Sequence, residues 1–200
     1  MSELTDLHAQ VRICTLCLLS RSRTRAVPGE GPENATLMFI GEGPGFHEDK
    51  SGRPFVGAAG QFLEELLAGI GMSRDQVYIT NVVKCRPPAN RDPLPDEIEA
   101  CRPYLDRQVE LIRPRVIVTL GRYSMARYFP DAKISAVHGK PRKVGGVLYY
   151  PMFHPAAALH QPKYRHLVEE DMARIPGLLA EIDQISDSQK PDQIEQLSLF

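Results

Sequence analysis

Apolar residues recur along this chain in short runs and in helical registers, and the two patterns alternate. Leu37–Ile40 is an apolar run that ends at Gly41-Glu42-Gly43-Pro44-Gly45, the pattern of a buried strand stopping at a loop. Val77–Val83, rich in β-branched residues, predicts a second strand, and Arg115–Leu120, bounded by Pro114 and Gly121, a third. Between the first two, Leu63, Leu66, Leu67 and Ile70 fall at i, i+3, i+4 and i+7, with Gly71 as a stop, and predict a helix. Pro95-Asp96-Glu97 opens another helix carrying Ile98, Cys101, Leu105 and Ile112, in which Pro103 predicts a kink or a restart. From Ala136 to Phe153 the chain reads as β-rich with a turn at Gly145-Gly146, and helix returns over 163–184. Strands alternating with helices predict parallel pairing, hence an α/β fold: a three-layer α/β/α sandwich around a central, mostly parallel sheet.

Composition narrows this picture. The chain has 200 residues, enough for one domain with a sizeable core, and is 42% hydrophobic and 24% charged. No apolar run approaches the roughly 18 residues that span a bilayer. The first ten residues carry Glu3 and Asp6 and lack the basic-then-apolar order of a secretory signal, so the expectation is a cytoplasmic protein with no membrane association. Net charge is −1, but five of the acids and one base lie in residues 176–200, which leaves 23 bases against 20 acids on residues 1–175. The bases cluster in Arg21-Ser22-Arg23-Thr24-Arg25 and Lys140-Pro141-Arg142-Lys143; such clusters pair with phosphates, or are solvated loop charge. From Asp183 to Glu195 the chain is polar, so residues 1–182 read as the folded domain and 183–200 as a flexible tail, whose last five residues turn apolar again.

The four cysteines carry the first chemical signal, because disulfides are rare in a cytosolic chain. Cys14 and Cys17 are spaced so that two thiolates can reach one ion or cluster from a single turn, while Cys85 and Cys101 have fifteen residues between them, wider than in a common zinc ribbon. A metal or iron-sulfur site, reduced structural cysteines and a CxxC redox pair all remain open on spacing alone. The glycines 41, 43 and 45 suggest a phosphate turn, but Phe46 stands where a dinucleotide fingerprint needs Gly or Ala, and Pro44 removes a backbone donor. No Gly-Lys-Ser/Thr is present to support a P-loop.

Three features fall at carboxyl ends of expected strands: the Gly41–Gly45 loop, Asn81 and His154. In open α/β sheets that edge binds ligands, so a shared pocket is expected, although each residue singly also fits a capping or turn-ordering role. The stretches carrying these features are Gly41-Glu42-Gly43-Pro44-Gly45 with Glu48-Asp49 and Gly52-Arg53-Pro54-Phe55-Val56-Gly57, then Thr80-Asn81-Val82-Val83-Lys84-Cys85-Arg86-Pro87-Pro88, then His154-Pro155-Ala156-Ala157. Over about residues 10–180 the chain resembles the iron-sulfur uracil-DNA glycosylases, the fourth family of that superfamily.

The resemblance implies a set of roles. His154 is similar to the family histidine that donates to uracil O2 as the anion forms, Phe55 to the aromatic that stacks on the flipped base, and Asn81 to the amide that reads the Watson-Crick edge. Better-known uracil glycosylases carry an Asp where this chain has Gly43 and a thymine-excluding Tyr where it has Gly45. Gly43 therefore contributes only to the uracil pocket, Glu42 becomes the candidate for orienting water or stabilising the sugar cation, and Glu48 the candidate for crowding out the thymine methyl. Cys14, Cys17, Cys85 and Cys101 become ligands of one [4Fe-4S] cluster with a structural role. A covalent-trapping relative has a basic insert ending in His where this chain has Asn90-Arg91-Asp92-Pro93-Leu94-Pro95, so turnover is expected. The absence of a lysine from the motif loops predicts a monofunctional enzyme without strand cleavage.

The expected protein is thus a monomer acting on uracil-containing DNA, single- or double-stranded. A non-catalytic iron-sulfur DNA-binding or replication-accessory module and a nucleoside hydrolase are the competing classes; intact Glu42, Asn81 and His154 weigh against the first, the basic clusters and tail against the second. Gln196-Leu197-Ser198-Leu199-Phe200 resembles the short peptide with which bacterial DNA enzymes bind the replication sliding clamp, which makes that clamp an expected partner.

Overall fold

The computed structural model describes residues 2–188, with side chains through Ile182. The clamp-like peptide 196–200 lies outside the described residues. Five strands form one sheet in the order β2-β1-β3-β5-β4: β1 (Leu37–Gly41), β2 (Tyr78–Asn81), β3 (Val116–Leu120), β4 (Arg142–Val144) and β5 (Val147–Met152). All neighbours pair parallel except β4 against β5. β1 is buried along its whole length, the expected state of a parallel strand covered on both faces, which is why its sequence reads as a continuous apolar run.

Alternation along the strands sends residues to two cores. Leu37 and Phe39, with Ile79, Val118 and Tyr150, face α3 (Ala58–Gly69), α8 (Lys163–Ala173) and α9 (Ile175–Ser188). Met38 and Ile40, with Tyr78 and Ile117, face α1 (Glu3–Ile13) and α4 (Pro95–Ile112). The result is the expected three-layer sandwich. The short helices α2 (Phe46–Ser51), α5 (Arg122–Ala126), α6 (Ile134–Val137) and α7 (Pro155–His160) line the sheet's edges and ends. No helix among the described residues is long and apolar enough to cross a membrane.

Several elements differ from the sequence expectation. Ala136 and Val137 belong to α6, so the β-rich segment begins only at Arg142; Gly145 and Gly146, both at positive φ, do make the hairpin turn. α4 runs through Pro103 without restarting, because Pro103 is exposed and the Glu99 carbonyl it deprives of a donor sits on the solvent side. The expected helix over 163–184 is two helices, broken at Arg174 where Pro176 supplies a new first turn, and the second runs on to Ser188, past Asp183. α1 had no counterpart in the expectation. It buries only Leu4, Leu7 and Val11, and Ser2 caps it by accepting from the Thr5 amide at 3.2 Å.

Parallel pairing brings the carboxyl ends of β1, β2, β3 and β5 to one edge. Gly41 stands opposite Asn81, and Leu120 opposite Met152. The ladder even continues past the strands, with the Val82 and Val83 amides donating to the Gly41 and Glu42 carbonyls at 2.9 and 3.1 Å. Above this edge the chain between α2 and α3 makes a turn in which Phe55 holds a left-handed φ of +52°. That turn sits directly on α3: a Cβ placed on Gly60 would overlap the Phe55 carbonyl, whereas one on Gly69, later in the same helix, meets nothing within 4 Å. Gly60→Ala is expected to lower unfolding free energy by about 2 kcal/mol or more through overpacking, and Gly69→Ala to raise it by roughly 0.5 kcal/mol, both measured by chemical denaturation. Equal effects of the two would contradict this packing.

Candidate active site

The loops leaving β1, β2 and β5 enclose a cleft of about 200 Å3 lined by Glu42, Gly43, Glu48, Phe55, Asn81 and His154, with Pro87, Asn90 and Arg91 on its outer wall. All six of the residues expected to act on the base or the water therefore line one cavity. Asn81 is fully buried, and its Oδ1 has no hydrogen-bond partner among the described residues. An orphaned buried acceptor costs on the order of 1–3 kcal/mol, so such a group in a cleft is poised for a donor that arrives with a ligand. Close packing confines it: a Cβ on Gly41 would overlap Asn81 Oδ1 and stand 2.7 Å from Phe55 Cζ, which is why β1 must end in glycine.

Phe55 and His154 stack with ring centroids 5.6 Å apart and planes 23° from parallel. His154 is the N-cap of α7, and its Nδ1 accepts from the Ala156 amide at 3.1 Å. A backbone N–H needs a lone pair at Nδ1, so the ring is neutral and carries its proton on Nε2. Removal from water pulls the His154 pKa down to about 4, the Glu48 carboxylate acting weakly the other way. Gly121 allows the ring this position, since a Cβ there would stand 3.2 Å from His154 Cβ.

Glu48 lines the cleft with its carboxylate fully engaged by main-chain amides. Its Oε1 accepts from the Val56 and Gly57 amides at 2.8 Å each, and its Oε2 from the Gly45 amide at 3.1 Å, so it fastens the Phe55 turn to the start of α2. Arg74 supports the same turn from behind by donating to the Phe55 carbonyl at 2.9 Å and to the Pro54 carbonyl, and it also pairs with Glu30 and Glu64. Nothing local marks Arg74 in the sequence, because its contacts lie 19 and 20 residues away. Glu42 is half-buried, and desolvation followed by the nearby Asp92 carboxylate raises its pKa above the ordinary carboxylate value, Arg122 partly opposing. Asp92 and Arg122 are themselves ion-paired, which ties the Asn90–Pro95 loop to the start of α5. Arg91 anchors the loop again through a two-pronged pair with Glu97, at 2.8 and 2.6 Å.

Cys14, Cys17, Cys85 and Cys101 are free thiols that line a second, small cavity between α1, α4 and the end of β2, together with Arg23, Lys84 and Tyr104. They are spread around it: among the described residues no three His, Cys, Asp or Glu side chains are grouped to hold a single ion. The surroundings suit thiolate sulfur, with Arg23 donating to Cys85 Sγ at 3.0 Å and the amides of Lys84 and Leu16 to Cys101 and Cys14 Sγ at 3.3 and 3.5 Å. Burial raises the thiol pKa values of Cys17, Cys85 and Cys101, the last to about 11, so anionic sulfur here calls for a cationic group in the cavity. Lys84 lies in the Thr80–Pro88 stretch, so the motif loops do contain a lysine; burial pulls its pKa down to about 7, but its Nζ is fully buried on three acceptors and does not line the cleft, so it is not placed to attack a substrate.

Known proteins are similar to this chain in sequence. The family described as the uracil DNA glycosylase superfamily matches residues 28–174. A type-4 uracil-DNA glycosylase of Sulfurisphaera tokodaii is 50% identical over 188 residues, covering 89% of this chain and 86% of that one. A type-4 uracil-DNA glycosylase of Thermotoga maritima is 47% identical, covering 85% and 91%. The type-5 uracil-DNA glycosylase of Pyrobaculum aerophilum is more distant, at 34% identity over 66% of each chain. With the superfamily spanning the sheet and its cleft, and half of all positions shared over nearly the whole chain, the protein belongs to the type-4 uracil-DNA glycosylases.

Proposed function

We propose that this chain is a monofunctional DNA-repair hydrolase that breaks the N-glycosidic bond of uracil in DNA and leaves an abasic site. The observation that carries this reading is the meeting, in one cleft, of a buried unpartnered amide, a neutral imidazole N–H donor and a half-buried carboxylate. Breaking the bond puts negative charge on the base and positive character on C1′, so the cleft must stabilise both and deliver water. Asn81 reads the flipped uracil, accepting at Oδ1 from N3–H and donating at Nδ2 to O4. Phe55 covers one face of the base. His154 donates from Nε2 to O2 as the bond opens, and a neutral donor keeps its proton while the base leaves as the anion. Glu42 orients the water and takes its proton as oxygen bonds to C1′.

Cys14, Cys17, Cys85 and Cys101 would hold one [4Fe-4S] cluster, by the family resemblance and the four-thiol cavity. It would supply no step of the hydrolysis; it would staple α1 to α4 and the end of β2. Uracil-containing DNA is the substrate and the protein acts as a monomer. The basic segment 21–25 and the outer Arg91 suit its phosphates. Residues 196–200 are a docking peptide for a bacterial sliding clamp, Leu and Phe filling an apolar pocket and Gln bonding at its rim.

Single-turnover excision from a uracil oligonucleotide, with thymine as control, tests the activity: His154→Ala and Glu42→Gln should each slow it by about 10² or more, with DNA affinity within severalfold. Wild-type rates in both would remove these residues from the chemistry. The pH profile follows from the raised Glu42 pKa. The ionised base is lost as pH falls through that value, so the acid limb should lie above the ordinary carboxylate value of 4.5, and Asp92→Asn should move it to lower pH. A limb that ignores Asp92 would contradict the assignment. The purified protein should be brown with about four irons per chain, and iron removal should lower its melting temperature; zinc after anaerobic purification would refute the cluster. Full-length protein should bind a bacterial clamp with micromolar affinity, lost on deleting 196–200 with oligonucleotide excision unchanged. Equal binding by the truncated protein would reject the docking role.

A further inference from the structure

Lys84 is fully buried, a state lysine seldom takes without a carboxylate partner, and none pairs with it among the described residues. Its Nζ instead bonds to neutral oxygens: Thr80 Oγ1 at 2.6 Å, Gln108 Oε1 at 2.6 Å and the main-chain carbonyl of Asn81 at 2.7 Å. Each of the first two acceptors is itself fixed. Thr80 Oγ1 donates to the Pro28 carbonyl at 2.9 Å, and Gln108 Nε2 donates to that carbonyl and to Tyr78 Oη at 2.7 and 2.9 Å. Tyr78 Oη in turn meets His8 Nε2 of α1 at 2.7 Å. The Nζ is therefore the end of a buried polar chain that starts in α1, crosses β2 and α4, and stops at the carbonyl of one residue of the cleft.

That residue is Asn81, whose side chain has an unpartnered Oδ1. Lys84 stands three positions after Asn81, and the same lysine lines the cysteine cavity and donates its own amide to Cys101 Sγ. We infer that Lys84 is the positioning residue of Asn81: its Nζ clamps the Asn81 carbonyl, sets the angle at which the amide enters the cleft, and makes the wall of the cysteine cavity the rear support of base reading. Short hydrogen bonds from one buried Nζ to three fixed oxygens give this clamp a direction that an apolar core contact lacks. The inference rests on the uracil-reading role proposed for Asn81.

Competition by free uracil against a uracil oligonucleotide isolates the effect, since free uracil meets the base pocket and not the DNA path. In Lys84→Met the uracil inhibition constant should rise about tenfold, the size expected for one misdirected polar contact, while affinity for an oligonucleotide bearing an abasic-site analogue stays within twofold. The double variant Lys84→Met/Gln108→Met covers the case in which the single one fails to fold. It strips both ends of the pair, yet Thr80 keeps Pro28 and Tyr78 keeps His8, so the Asn81 carbonyl is the polar group that loses its donor. A tenfold loss of uracil binding in either folded variant supports the inference. A uracil inhibition constant within twofold of wild type, with only melting temperature or iron content lowered, would overturn it. Failure of the wild-type protein to bind uracil at all would refute the proposed function itself.

Discussion

Glu48 accepts hydrogen bonds from the amides of Gly45, Val56 and Gly57, and the cleft depends on that one carboxylate. The turn between α2 and α3 holds Phe55 at a positive φ, a conformation that costs a bulky residue roughly 1–3 kcal/mol. Charge-assisted hydrogen bonds to buried-loop amides are worth about 1.5–3 kcal/mol each, enough to offset the strain. Arg74 on the carbonyls of Pro54 and Phe55, and the space left by Gly60, hold the other side of the same turn. What the strain achieves is a phenyl ring laid against His154 at the sheet's carboxyl edge.

From that ring outward, each polar group of the cleft has its state set by a main-chain contact. The Ala156 amide fixes which nitrogen of His154 carries the proton; β1 ending in Gly41 leaves room for the Asn81 amide; Lys84 holds the Asn81 carbonyl. Glu42 answers to the charges of two side chains, Asp92 and Arg122, on the outer loop and the start of α5. Backbone control suits groups that read a rigid base. Side-chain control suits a group that must meet water.

The sandwich and its sheet could be read from sequence because parallel strands buried on both faces write continuous apolar runs, as at Leu37–Ile40 and Val116–Leu120. The candidate residues were readable for a related reason: Glu42, Asn81 and His154 lie at or just after strand ends, and parallel pairing gathers strand ends. Glu48 is legible as a cleft position, but its hold on the Val56 and Gly57 amides is not, since those lie in a turn whose shape depends on a left-handed Phe55, which no propensity predicts. α1 escaped because three buried residues in eleven make too faint a stripe. The run through Pro103 goes against local rules because, at an exposed position, water can donate to the Glu99 carbonyl that proline leaves without an N–H. Arg74 and Gln108 act across 19 to 80 residues of chain, and no window along the sequence contains both ends of such a contact.

The central claim is that the fold presents a neutral His154 with its proton on Nε2. Nitrogen-15 NMR of the His154 ring in the full-length protein, followed from pH 8 to pH 5 without DNA, measures this directly. The account predicts an Nε2–H neutral imidazole across that whole range, with protonation only near the low value of about 4. An imidazolium already formed at pH 6, or a neutral ring protonated on Nδ1, would contradict it.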